Sequence, residues 1–407
     1  MKQFAVFPPV FLLPAILCWA CATSAGPPPS NTYYVSAAGS DRNHGLSEQF
    51  PFRSLFKAVF MADRTAVKTI TVAGILNEAS EQSSNPEGVF FLQGTGKEGI
   101  TIRGGSGDPA VLSAAGSGRR AAAIRGSLRI RFENIEISGG GGSASGGGIS
   151  IGNGASVSLG PGAALRDNSS EEPGGGAAVE PGGILHVEGG RILDNRSAAA
   201  GGGIAIAGKS ALLVIRGGEI RGNHAPGGGG VAVYGGRLIF LGGLVQDNTA
   251  DIAGGGVMIT GDTSFTMEGG FVRGNRSSGI GGGLVLLEKA AFVFRGGEIT
   301  ANRAVEHGGG MAADEGCSIS IQGGYISANR AASRGGGIFT AGSFVKSGGT
   351  IYGNDVPESQ ANTAGSGAAV FVFRTGESHK VRETSAGSGL ILDSSAQDGW
   401  IAPEQGS

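Results

Sequence analysis

Acids and arginines are the residues of this chain whose spacing could do chemistry. Hydrolysing a glycosidic bond takes two carboxyl groups at a set separation. Eliminating across an acidic sugar takes a carboxylate-bound cation and a base to remove the proton. Adjacent acids occur at Glu171-Glu172 and Asp314-Glu315, each in a turn with no partner in register, which is the pattern of solvated turn charge. His307-Gly308 belongs to a glycine triplet, with no Arg-x-Lys following it in register. Asp41 to Gly45, "DRNHG", opens like a calcium loop but lacks the later Glu. The sequence therefore predicts no catalytic residue, no metal site and no cofactor.

The arginines follow a rule. Arg196, Arg276, Arg303 and Arg330 each stand directly after an asparagine, His224 and Thr249 hold the same place, and Asp355 ends the series. Stacked at strand spacing they form a broken basic stripe, suited to sulfated or uronic glycans or to phosphate. The plainer reading is a solvated corner whose charge keeps an edge soluble.

The asparagines themselves set the architecture. Asn168, Asn195, Asn223, Asn248, Asn275, Asn302, Asn329 and Asn354 are separated by 27, 28, 25, 27, 27, 27 and 25 residues. Glycine triplets ending at Gly148, Gly176, Gly203, Gly230, Gly256, Gly283, Gly310 and Gly337 keep the same beat. Between these marks lie runs of period-two alternation, the mark of strands with one face inward. Pairs such as Val257/Ile259 follow each triplet, pairs such as Phe265/Met267 precede each Gly-Gly, and a single residue such as Val272 follows it. Three short strands in about 27 residues leave no room for helical crossovers. They make one turn of a parallel β-solenoid, with like residues stacked at about 4.8 Å. In that stack the asparagine closes a strand, tolerates a left-handed backbone and passes its amide to the next turn as a ladder. Plain turn asparagines without a ladder are the alternative. Glycines serve corners where φ is positive or successive turns approach closely. The residues before Gly-Gly put opposite charges on neighbouring turns at Glu188/Arg216 and Glu268/Arg295, as exposed cross-strand pairs should be.

Composition agrees. There are 80 glycines in 407 residues, yet the collagen period is absent and 40% of the chain is hydrophobic, which excludes low-complexity disorder. A net charge of -2 gives no reason to expect a nucleic-acid partner. Residues 1–25 read as an export signal: Lys2, a proline-broken apolar run, then small residues. Cleavage after Ala22 or Ala25 gives plain secretion. Cleavage before Cys21 gives a lipidated N-terminus, the one route to a membrane. Cys18 and Cys21 belong to this segment, leaving Cys317 alone as a buried small residue. Residues 26–32 form a Pro-rich spacer, 33–137 a cap and first coils, 138–355 the regular repeats, and 356–407 the last coils and tail. Within the cap, "PFRSLFKAVFMAD" (51–63) predicts an amphipathic helix starting at Pro51, with Phe52, Leu55, Phe56, Val59 and Phe60 on its apolar face.

The segment Tyr33–Val59, "YYVSAAGSDRNHGLSEQFPFRSLFKAV", resembles the N-terminal cap of bacterial parallel β-helix proteins of pectate-lyase-like fold. "GGGI" at Gly201–Ile204 and "IxxN" at Ile192–Asn195 are similar to the paired repeats of chlamydial polymorphic outer-membrane proteins. The resemblance implies a right-handed, single-stranded β-helix with a short capping helix, within an all-β class. It also implies export to a bacterial outer membrane or cell surface. Function is left open, because the fold hosts lyases, hydrolases, adhesins and plain surface proteins. Unlike the polymorphic proteins, this sequence ends at "WIAPEQGS" without barrel strands. The expected role is an exported, non-enzymatic, adhesin-like protein whose partner is a polysaccharide or a host or cell-surface protein. The alternative is a polysaccharide lyase or glycoside hydrolase acting on acidic polysaccharide.

Overall fold

A computed structural model describes residues 31–373 apart from 82–84, 97, 106–108 and 354–355, together with the backbone of 381–383. The proposed signal, Cys21 and the tail after residue 383 lie outside the described residues.

One turn shows how the repeat folds. Val257–Thr260 forms the first face, Ser264–Met267 the second, and Phe271–Arg273 the third. A two-residue strand, Arg276–Ser277, follows at a corner. The next turn repeats this order in parallel register, pairing Val257 with Leu284, Ser264 with Ala291, Phe271 with Glu298 and Arg276 with Arg303. Each partner is 27 residues on, one repeat. First faces build an eleven-stranded sheet and corner strands a seven-stranded one. Second and third faces merge into one large sheet, because Ile184–Leu193 and Leu212–Arg221 run through both. The fold is thus an all-β parallel solenoid. Its fourth, corner strand is an addition to the three expected, since most corner strands have only two residues, too few to show alternation.

The alternating positions point where the pattern requires. Val257, Ile259, Phe265, Met267 and Val272 are all essentially fully buried, and their equivalents in neighbouring turns join them in one continuous core. Five such side chains per turn, at roughly 1.5–3 kcal/mol each, offset much of the ordering entropy of the turn. The Phe265 and Phe292 rings sit 4.9 Å apart along this column. Cys317 is buried, and its thiol donates to the Glu288 carbonyl at 3.4 Å.

The first helix departs from expectation. It spans Leu55–Arg64 rather than starting at Pro51, because Phe52 is engaged in a parallel bridge to Val35 and Ser54 caps the helix, accepting from Lys57 N–H at 3.1 Å. Its buried residues are Leu55, Ala58, Val59 and Ala62, packed against the first strands. Phe56 and Phe60 lie on the exposed side, where Phe60 carries the Arg64 guanidinium 3.6 Å above its ring. Asp41 is committed here too. Its carboxylate accepts from Arg53 N–H, Ser54 N–H and the Ser54 hydroxyl at 3.0, 2.9 and 2.7 Å. That geometry fastens the helix start and spends the oxygens a calcium loop would need.

Glu81 also faces this helix start, accepting from Leu55 N–H at 2.7 Å and Phe56 N–H at 3.1 Å while only 6% exposed. Burial lifts its carboxyl from the ordinary 4.5 to about 7, outweighing those two bonds, with Asp41 adding to the rise. Because the folded state holds the proton more tightly, this contribution to stability is fully present below pH 4.5. It is lost as pH rises through 7. The expected loss is on the order of 3 kcal/mol between those limits. Chemical denaturation at pH 5 and pH 8 should show that difference in the wild type and a smaller one in Glu81→Gln.

Candidate functional site

The corner carries the site, and the asparagines build it. Asn168, Asn195, Asn223, Asn248, Asn275, Asn302 and Asn329 are all at most 1% exposed and lie in line. Each Nδ2 donates to the Oδ1 of the next rung at 2.9–3.0 Å. The same Oδ1 also accepts the backbone N–H of the rung before it, at 2.8–3.1 Å. The second amide proton goes to a third-face carbonyl of the preceding turn, such as Val245 O for Asn275. From Asn195 onward each buried amide uses both its protons and accepts two bonds, which is what burial of a polar group demands.

Two expectations about this ladder are corrected. Its eighth rung is Asn362, which accepts from Asn329 Nδ2 at 3.0 Å. Asn354, expected in that place, lies outside the described residues. The chain makes a detour of eight further residues before offering the rung, and Asn362 Nδ2 reaches back to the Tyr352 carbonyl at 2.6 Å. Secondly, the left-handed residue is the one before the rung: Asp194, Asp247, Ala301 and Ala328 have φ between 52° and 55°. The asparagine's role is to bond across turns.

The ladder explains the glycine triplet. The first glycine of a triplet, such as Gly281, has φ +64°. The third, such as Gly283, leaves no room for a Cβ, which would lie 3.0 Å from the Asn302 amide and 2.6 Å from Gly310 O.

Immediately after the rungs the chain turns its side chains outward. Arg276, Arg303 and Arg330 sit on consecutive corner strands in direct register and are exposed. Strand spacing places successive Cα atoms at about 4.8 Å. None of the three is in an ion pair among the described residues. Some other outward charges are paired across turns, while Arg191 and Arg237 are exposed without an ion pair among the described residues. Glu188 lies 3.5 Å from Arg216 and Glu268 lies 3.1 Å from Arg295, as the alternation predicted. Arg196 does not belong to this group, since His224 and Thr249 separate it from Arg276 in the column. His224 is occupied with Asp251 at 3.0 Å. Beyond Arg330 the column continues with Thr363, in the place expected for Asp355, so among the described residues no acid closes the row. Asp355 lies outside the described residues. A cleft of about 430 Å³ opens at this end, lined by Arg303, Val305, Arg330, Ala332, Thr363 and Gly365. Val305 is 54% exposed there, so the cleft joins guanidinium groups to an apolar wall.

The acid pairs weighed for catalysis do not enter this site. Glu171 and Glu172 are exposed in a turn. Asp314 is exposed at another, its carboxyl raised by partial burial. His307 stacks on Phe339 with ring centroids 4.7 Å apart, and burial together with Arg334 lowers its pKa. Among the described residues no group of three or more His, Cys, Asp or Glu could hold a metal ion. One network escaped sequence reasoning. Arg125 contacts Glu87 at 2.6 Å and Glu180 at 3.1 Å, and Ser150 bonds the same Glu180. Arg125 and Glu180 stand in one column two turns apart, across Gly152, so a comparison of neighbouring turns does not pair them.

No protein-family model matches the chain, and no curated protein matches it. Among solved structures it is similar to the native GH136 lacto-N-biosidase of Eubacterium ramulus. That match has 9% identity and a TM-score of 0.31, over 87% of this chain and 68% of that one. The solenoid stands on its own register, and this likeness adds nothing to it.

Proposed function

We propose that this is an exported, non-enzymatic surface protein that binds acidic glycans through the corner row Arg276, Arg303 and Arg330. The observation that carries the reading is the absence of ion-pair partners for three in-register arginines among the described residues. Like charges opposite one another on neighbouring strands destabilise a sheet. A row of three in-register arginines without acids beside it is suited to a ligand that supplies the negative charge. Guanidinium forks match carboxylate and sulfate in pairs of hydrogen bonds, and strand pitch sets them out as a line. Export, with or without a lipid on Cys21, belongs to the same proposal and rests on residues 1–25.

Retention on heparin and on polygalacturonate tests the row. Replacing Arg276, Arg303 and Arg330 together by alanine should weaken binding roughly 100-fold at low salt, from about 1 kcal/mol per exposed arginine. Arg196→Ala should change it little. Equal retention of wild type and triple variant contradicts the proposal, and cleavage of either polymer by the purified protein contradicts its non-enzymatic part.

A further inference from the structure

A second concave surface lies at the other end of the described solenoid, on the outward side of the second face. Two adjoining clefts of about 570 and 540 Å³ share Tyr34, Glu48, Thr71 and Gly105, and so form one trough. Its floor is a single column. Tyr34 pairs in register with Thr71, Thr71 with Arg103, and Arg103 with Glu133, on four successive strands. One wall is the loop before the first helix, which brings Glu48 and Pro51; the other is Asn134 and Pro161.

Each floor residue offers different chemistry at one strand pitch: an aromatic ring, a hydroxyl, a guanidinium and a carboxylate. Glu133 gives one oxygen to Arg131 at 2.6 Å, and Glu48 has no ion-pair partner among the described residues. Asn134 holds φ 48°, a left-handed conformation that asparagine tolerates, and its amide reaches Gly105 O at 3.2 Å, which fastens that wall of the trough. Two carboxylates against one guanidinium disfavour a polyanion, the ligand proposed for the arginine corner. Mixed donors and acceptors beside a ring suit a polyhydroxylated ligand whose C–H face stacks on an aromatic side chain.

We infer that this trough is a saccharide-binding site, taking a short stretch of neutral glycan that lies along the solenoid axis with one sugar against Tyr34. It stands independently of the arginine row. The test is binding of full-length protein to an immobilised panel of short neutral β-1,4-linked oligomers of glucose, xylose, mannose and N-acetylglucosamine. At least one series should be retained. Tyr34→Ala and Glu48→Gln should each weaken that retention on the order of tenfold, the size of one lost stacking contact or one charge-assisted hydrogen bond. Glu48 is on a surface loop, so its variant answers the question even where Tyr34→Ala impairs folding. The triple arginine variant should bind the same oligomers as well as wild type does. Retention of none of the series, or retention that neither Tyr34→Ala nor Glu48→Gln weakens, overturns the inference.

Discussion

Asn275→Ala should cost the protein roughly 4 kcal/mol of stability, far more than an average surface change. The substitution strands two buried donors at once. Asn248 loses the acceptor for its backbone N–H at 3.0 Å and for one amide proton at 3.0 Å. Val245 O loses the proton that reached it at 2.9 Å, and Asn302 Oδ1 loses one of its two donors at 2.9 Å. Water cannot take over at a position that is fully buried. Asn275→Asp should be no better, because it brings a charge into the same space and removes both amide protons. Urea titration followed by far-ultraviolet circular dichroism measures the loss. A change below about 1 kcal/mol, the size of an ordinary turn asparagine, would mean that the ladder is ornamental.

Gly283→Ala should cost roughly 3 kcal/mol for a steric reason alone, since this glycine does not have a positive φ. The added methyl would stand 2.6 Å from Gly310 O. That oxygen cannot retreat without loosening the N–H bonds it accepts from Gly283 at 3.1 Å and Leu284 at 2.9 Å. On its other side the methyl meets the Asn302 amide at 3.0 Å, which the ladder holds. Gly99→Ala is the fitting control, because nothing lies within 4 Å of its Cβ position, and it should stay within about 0.5 kcal/mol of wild type. Equal effects at Gly283 and Gly99 would show that the triplets answer to chain flexibility rather than to the packing of the corner.

These two substitutions bear on the part of the fold most legible in sequence. Spacing of asparagines and triplets and alternation of pairs such as Phe265/Met267 sufficed for a parallel solenoid, because every turn solves the same packing problem with the same residue types. Legibility fails where that repetition breaks. Asn354 has the same local signature as the true rungs, an apolar residue three positions before it, and only the tertiary detour selects Asn362. Residues 51–63 fit a helical period with the phenylalanines inward, but the bridge from Phe52 to Val35 delays the helix and turns Phe56 and Phe60 outward. For the site, the arginines were visible as a column, while the grouping of three without Arg196 depended on which residues intervene. The column Tyr34, Thr71, Arg103, Glu133 was invisible, because its intervals of 37, 32 and 30 residues follow no beat.

Removing one whole turn is the most direct measurement of the architecture. Deleting residues 276–302 joins Asn275 to Arg303, the residue that already pairs in register with Arg276. The shortened protein should keep the wild-type circular dichroism spectrum per residue and melt cooperatively. A deletion of half that length from the same start should not, because it throws every downstream inward residue out of its column. Loss of folding in both deletions alike would contradict a solenoid of interchangeable turns.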